Sequence, residues 1–205
     1  MVLKSVANYR INENVQLIVD FAAIEDTKAI SRVLAQSFYR LPEFASWIYP
    51  FLQFTISEDI RHRLRSQSPH YCCLVAKIAP QNYLNSSNSS EVDNKELVIV
   101  GTIEIAMRSP SLWLNTPQYP YISNLAVDQK YRRLGIGKLL LARCEQAAMD
   151  WGYSETRLHV LDNNDAAKYL YHSGGYQIAQ IEANWSNMWF DYSPRLLLKK
   201  EINLE

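Results

Sequence analysis

The chain of 205 residues lacks net charge: 21 Lys and Arg balance 21 Asp and Glu. Nucleic-acid binding by bulk charge normally requires a basic protein, so no nucleic-acid partner is expected. It also lacks any run of about 18 apolar residues, which predicts no membrane span. The first residues, "MVLKSVANYRINENVQLIVDF", hold no apolar segment followed by a small-residue cleavage site, so no secretory signal is expected. Cysteine is scarce, at Cys72, Cys73 and Cys144. An odd count that includes two strand neighbours on opposite faces argues against a disulfide framework. Without CxxC-type spacing no metal site is expected either. Reduced core cysteines and a cytoplasmic location are the corresponding expectation.

Glycine is scarce too, with six in the chain, yet two of them fall within three residues, in "YRRLGIGKLL" at Tyr131–Leu140. The pattern around this stretch is mixed α/β. "LIVDFAA" (17–23) reads as a strand, and Asp26 starts a helix to about Phe38 with Ala29, Ile30, Val33, Leu34 and Phe38 on one stripe. "YCCLVAKI" and "ELVIVGTIEIAMR" read as antiparallel strands joined by a flexible loop over 80–95, rich in Ser and Asn. "YPYISNLAV" is a strand that runs into the glycines. A helix follows from about Gly137 to Trp151, with Leu140, Leu141, Cys144, Ala147, Ala148 and Trp151 on one face and Gly152 closing it. "TRLHVL" is a strand, "NNDAAKYLYHSGG" a short helix capped by Asn163 or Asn164, and "YQIAQIEA" and "RLLLKK" are closing strands. A single domain over 1–205 is expected.

A strand, then glycines, then a helix presents backbone N–H groups to an anion, and the helix end adds partial positive charge. Two common phosphate motifs fail at named positions. A P-loop requires Ser or Thr after Gly137-Lys138, where Leu139 stands, and Gly where Arg132 stands. A dinucleotide fingerprint requires a third glycine, where Leu140 stands. What remains is R-x-x-G-x-G: Arg132, Gly135, Gly137.

That pattern resembles the pyrophosphate loop of the GNAT superfamily of acetyl-CoA-dependent N-acetyltransferases. "NDAAKYLYHSGGY" (164–176) is similar to the same family's later Asn, Ala, Leu-Tyr, Gly-aromatic pattern. The resemblance covers roughly 97–180. It implies one domain with a central, mostly antiparallel, splayed sheet flanked by helices. It also implies acetyl-CoA as donor substrate and direct attack by an amine, without a metal. The amides around Leu134, Gly135, Ile136, Gly137 and Lys138 would bind the pyrophosphate, with charge from Arg132 and Arg133. The strand edge at Leu125, Ala126 and Val127 would pair with the pantetheine arm, and Asn164 and Tyr171 would complete the donor site.

Acetyl transfer needs a neutral amine, an acid for the departing thiolate, and donors to the oxyanion. Tyr171 matches the family tyrosine placed near the sulfur and is the expected acid. For the base, Tyr121 and His159 resemble the pair used through water by some N-terminal acetyltransferase catalytic subunits. Alternation puts Arg157, His159 and Leu161 on one strand face. Glu104 in "GTIEIAM" is the rival, since a strand glutamate often serves in the superfamily; its bland reading is a solvated charge. Cys144, on the apolar helix face, is not a nucleophile candidate. "RHRLR" (61–65) is expected to be a solvated helix face.

Two aromatic segments, "FYRLPEFASWIYPFLQF" and "ANWSNMWFDY", fall where the superfamily builds acceptor walls. The motif region also resembles the plastid and cyanobacterial branch of the superfamily. That likeness implies a protein N-terminus or lysine as acceptor, with a small amine (amino acid, polyamine, antibiotic) as the alternative. A coenzyme A-binding regulator without turnover is a further one. Either a monomer or a homodimer is compatible with the sequence.

Overall fold

The structure is a computed structural model that describes residues 7–12, 15–39, 47–78, 97–109, 117–182 and 193–202. The expected loop at 80–95 and the aromatic segment 183–192 lie outside the described residues, as does 40–46 of the first aromatic segment. Eight strands form one sheet: β1 (Ala7–Asn12), β2 (Val15–Phe21), β3 (Tyr71–Ile78), β4 (Val98–Arg108), β5 (Tyr119–Val127), β6 (Glu155–Leu161), β7 (Gln177–Glu182) and β8 (Arg195–Glu201). Their spatial order is β1-β2-β3-β4-β5-β6-β8-β7. Every neighbouring pair is antiparallel except β5–β6, which is parallel. The α-helices among the described residues are α1 (Thr27–Phe38), α2 (Tyr49–Arg65), α3 (Ile136–Asp150) and α4 (Asp165–Ser173).

The helices cover both faces of the sheet. β4 is buried along most of its length, as its nearly unbroken apolar run requires. On one face the α3 stripe of Leu140, Leu141, Cys144, Ala147 and Ala148 packs with Val100, Ile103, Ile105 and Ile122. On the other, Ile30, Val33 and Leu34 of α1 and Ile60 of α2 pack with Cys73, Val75, Ile99 and Ala126. Burial of each such Leu or Ile contributes about 1.5–3 kcal/mol, so α3 and the α1–α2 pair are fixed from opposite sides. Cys72 joins the first cluster and Cys73 the second, as strand alternation demands. All three cysteines are free and buried.

Two irregularities open the sheet in its middle. β5 and β6 share only two ladder pairs, Tyr121↔Arg157 and Ile122↔Leu158, and then separate. Just past that point β5 bulges: Asn124 and Leu125 stand against Ile103 alone, between the pairs Glu104↔Ser123 and Thr102↔Ala126. Asn124 has φ +54°, a left-handed value that asparagine tolerates better than most residues.

The bulge is held from below by Glu104. Its carboxylate is 2% exposed and accepts from Asn124 Nδ2 at 2.7 Å, Tyr71 Oη at 2.8 Å, Arg63 Nε at 2.8 Å and Arg63 Nη2 at 3.1 Å. Two expectations change here. Glu104 is not a solvated charge, because four donors compensate its burial. "RHRLR" is not wholly a solvated face: Arg61 pairs with Glu58 on the surface, whereas Arg63 turns inward to Glu104 and also meets Asp59. Removing one partner of such a pair strands the other, so Glu104→Ala is expected to cost about 3 kcal/mol, read as a lower urea midpoint. A variant as stable as the parent would contradict the assigned role.

Candidate functional site

The splayed β5–β6 junction leads directly into the glycine loop. Past Val127, Asp128 accepts from the Lys130 amide and starts a single 3-10 turn at Gln129–Tyr131. Arg132 Nε donates back to the Val127 carbonyl at 3.0 Å, so this side chain braces the loop against the strand end. Arg133 has φ +66° and Gly135 φ +79°. Nothing would crowd a Cβ at Gly135, so the glycine is required there by its left-handed backbone. Gly137 has a different reason: a Cβ would meet Leu170 Cδ2 at 3.3 Å, so it lets α3 approach α4.

The helix bond from Leu139 N–H to the Gly135 carbonyl is the first at this end of α3. The amides of Ile136, Gly137 and Lys138 therefore leave the helix end without intrahelical partners. No acidic residue lies in the first turn, while Arg132, Arg133 and Lys138 cluster around it. Cations at a helix N-terminus are unfavourable unless an anion joins them. A diphosphate group fits this cradle in charge and in donor chemistry. Beside it, Ser123–Val127 of β5 has no ladder partner on β6. That stretch contains Leu125, Ala126 and Val127, an edge that lacks a neighbouring strand, with only the Val127 carbonyl engaged by Arg132, and so is able to pair with an extended amide-bearing arm.

At the closed end of the splay, Tyr121 Oη lies 2.8 Å from His159 Nδ1. Glu182 Oε2 approaches His159 Nε2 at 3.2 Å. The approach is off the N–H direction, since Nε2 makes no aligned hydrogen bond among the described residues; Glu182 acts there mainly by charge. A carboxylate beside Nε2 favours the tautomer protonated at that nitrogen, which leaves Nδ1 to accept from the Tyr121 O–H. Burial lowers the His159 pKa below its ordinary 6.5, opposed by Glu182 and reinforced by Arg195 and Arg108. The imidazole is therefore neutral at physiological pH, the state a base needs. Burial raises Tyr121, and Arg108 and Arg195 work against that rise.

Tyr171, on α4, is 8% exposed. Burial, then the neighbouring Tyr121, push it up to about 12. Its hydroxyl makes no hydrogen bond within the described residues and keeps its proton, as a general acid must. Asn164 accepts from the Ala167 amide at 3.2 Å and caps α4, so it fixes the helix that carries Tyr171. Tyr121, His159 and Glu104 all point to the same sheet face by register, but only the first two form a pair. Burial pushes the Cys72 thiol up to about 12 and Cys144 well above its ordinary value, which leaves neither suited to nucleophilic attack. Sequence reasoning missed Glu182, Arg63, Arg108 and Arg195; only the register of distant strands brings them here.

A splayed sheet, a helix-end cradle suited to an anion at its mouth, and a hydrogen-bonded tyrosine–histidine pair at its closed end are an arrangement compatible with an acyltransferase that uses a diphosphate-bearing donor. The chain belongs to the acetyltransferase (GNAT) family, whose model matches residues 41–176. It is similar to GCN5-related N-acetyltransferase 10, chloroplastic, of Arabidopsis thaliana, at 25% identity over 87% of this chain and 69% of the relative. The thialysine N-epsilon-acetyltransferase of Bos taurus is 30% identical over 68% of this chain and 75% of its own length. The chain spans 28%, 23% and 57% of three further chloroplastic relatives from Arabidopsis thaliana. In fold it is similar to the PaiA N-acetyltransferase of Thermoplasma acidophilum, solved with coenzyme A: TM-score 0.61, 20% identity, 90% of this chain and 98% of that one.

Gly135→Val forces a β-branched residue into a left-handed conformation at a cost of about 1–2 kcal/mol, relieved by moving the loop. Acetyl-CoA affinity measured by calorimetry is expected to fall about tenfold. Gly137→Ala, which meets only the flexible end of Leu170, is expected to change it far less. Unchanged affinity in Gly135→Val would contradict the loop assignment. For the base, kcat at saturating acceptor is expected to drop as pH falls through the His159 pKa, below 6.5. Glu182→Gln removes a contribution that raises that pKa, so its acid limb is expected at still lower pH.

Proposed function

We propose that the chain transfers acetyl from acetyl-CoA to a primary amine by direct attack, with a protein N-terminus or lysine side chain as the acceptor. The observation that carries the transfer chemistry is the Tyr121–His159 hydrogen bond at the closed end of the splay, beside a protonated Tyr171. Tyr121 takes a proton from the acceptor ammonium, directly or through water, and passes its own to His159 Nδ1. Glu182 steadies the resulting imidazolium. The neutral amine forms its bond to the thioester carbon, and the C–S bond breaks. Tyr171 gives its proton to the departing thiolate and regains one from the acetylated nitrogen.

A second acceptor reading, a small amine, is favoured by the thialysine N-epsilon-acetyltransferase relatives. Acetylation of a peptide array and a small-amine panel with labelled acetyl-CoA separates the two. Modification of small amines alone would remove the protein reading. The cytoplasm is our proposed location, supported by three buried free thiols that suit a reducing compartment.

Tyr171→Phe keeps the ring packing and removes only the proton. Turnover is expected to fall about 10²-fold or more with acetyl-CoA affinity nearly unchanged, because an acid acts in the transition state. Wild-type turnover would remove Tyr171 from the mechanism.

A further inference from the structure

The sheet face around Tyr121 and His159 carries two arginines that the transfer chemistry leaves unused. Arg108 ends β4, opposite Tyr119 in register, and its guanidinium carbon lies 4.4 Å from the Tyr121 ring centroid. Arg195 begins β8, opposite Leu161 on one side and Glu182 on the other. Its charge reaches both Tyr121 and His159. Among the described residues neither arginine forms an ion pair. Glu182, the carboxylate nearest Arg195 by register, sits against His159 instead. The third arginine on this face is already committed: Arg157 pairs with Glu155 and lies 4.3 Å from the Tyr119 ring centroid. Glu155 is also 3.8 Å from Lys199 Nζ.

Arg108 stacks on and hydrogen-bonds Tyr121 but, like Arg195, has no carboxylate partner among the described residues, so two guanidinium charges against the one carboxylate of Glu182 leave this end of the site positive. A positive site repels an acceptor that arrives as a bare ammonium, such as a polyamine. It attracts one that carries a negative group beside the amine. The guanidinium fork matches a carboxylate with two parallel N–H donors. The same positive charge also lowers the pKa of an amine held nearby and so favours its reactive neutral form.

We propose that the acceptor carries a carboxylate close to its reacting amine, and that Arg108 and Arg195 bind it. The carboxylate comes either from a free amino acid or from an acidic residue next to the amine in a peptide. The inference rests on the acetyltransferase reading of the Tyr121–His159 pair, and the test separates the two.

The test compares kcat/KM for acceptor pairs that differ only in a carboxylate and its amide. One arm uses free lysine against lysinamide and 5-aminovalerate against its amide. The other uses peptides beginning Met-Asp against Met-Asn, and Lys-Glu against Lys-Gln. A preference for the acid of about tenfold or more is expected in at least one arm, as for hydrogen bonds to charged groups. The arm that shows it identifies the source of the carboxylate. Arg108→Gln and Arg195→Gln should each reduce the ratio, and the double variant should bring it to about one. Arg108→Lys, which keeps the charge, should retain part of it. Thermal melting verifies that each variant is folded. Turnover with a ratio of one in both arms overturns the carboxylate site alone, as does a preference that survives the double variant. No turnover in any pair overturns the acceptor reading with it.

Discussion

The donor cleft exists because β5 leaves β6 after two ladder pairs, and β5 leaves because it bulges at Asn124. A bulge bends a strand and frees backbone groups that the ladder would otherwise consume. Here the bend is stabilised by a buried carboxylate and its donors: Glu104 holds Asn124, while Arg63 and Tyr71 hold Glu104. Helix α2, strands β3 and β4 and the bulge are thereby tied together at one point. The unpaired stretch of β5 then runs without interruption into the amides at the start of α3. One local distortion thus aligns the arm-binding edge with the diphosphate loop.

The site separates three acid groups by what surrounds them. Glu104 accepts from four donors, which tie it to α2, β3 and the β5 bulge. Glu182 faces a histidine whose second nitrogen meets a tyrosine, an arrangement that orients a base. Tyr171 is held protonated by burial and has no competing hydrogen-bond partner among the described residues. The Tyr121–His159 pair comes from neighbouring strands and Tyr171 from helix α4.

Much of the fold was legible in the sequence because its signals are local. The α3 stripe, the glycine after it, the cap at Asn164 and the alternation around His159 each depend on neighbours within a few residues. The strand–glycine–helix order of the loop was legible for the same reason, whereas the left-handed backbone at Gly135 and the close approach of Leu170 to Gly137 come from the structure. "RHRLR" was read as a solvated face, and a solvated charge was the alternative to a catalytic Glu104, because each is polar in its own window. Their compensation comes from a pairing 41 residues apart, which no local pattern encodes. Glu182 and Arg195 were missed for a related reason. They reach His159 through the order β6-β8-β7, in which the last strand in sequence lies inside the one before it.

A crystal structure of the protein with acetyl-CoA tests the central claim most directly. The account predicts diphosphate oxygens on the amides of Ile136, Gly137 and Lys138, and the pantetheine arm along Ser123–Val127. It predicts the thioester between Tyr171 and the Tyr121–His159 pair, with the Glu104–Arg63–Asn124 contacts intact. A thioester seated against Glu104 with Arg63 displaced, or a diphosphate bound away from the start of α3, would contradict it.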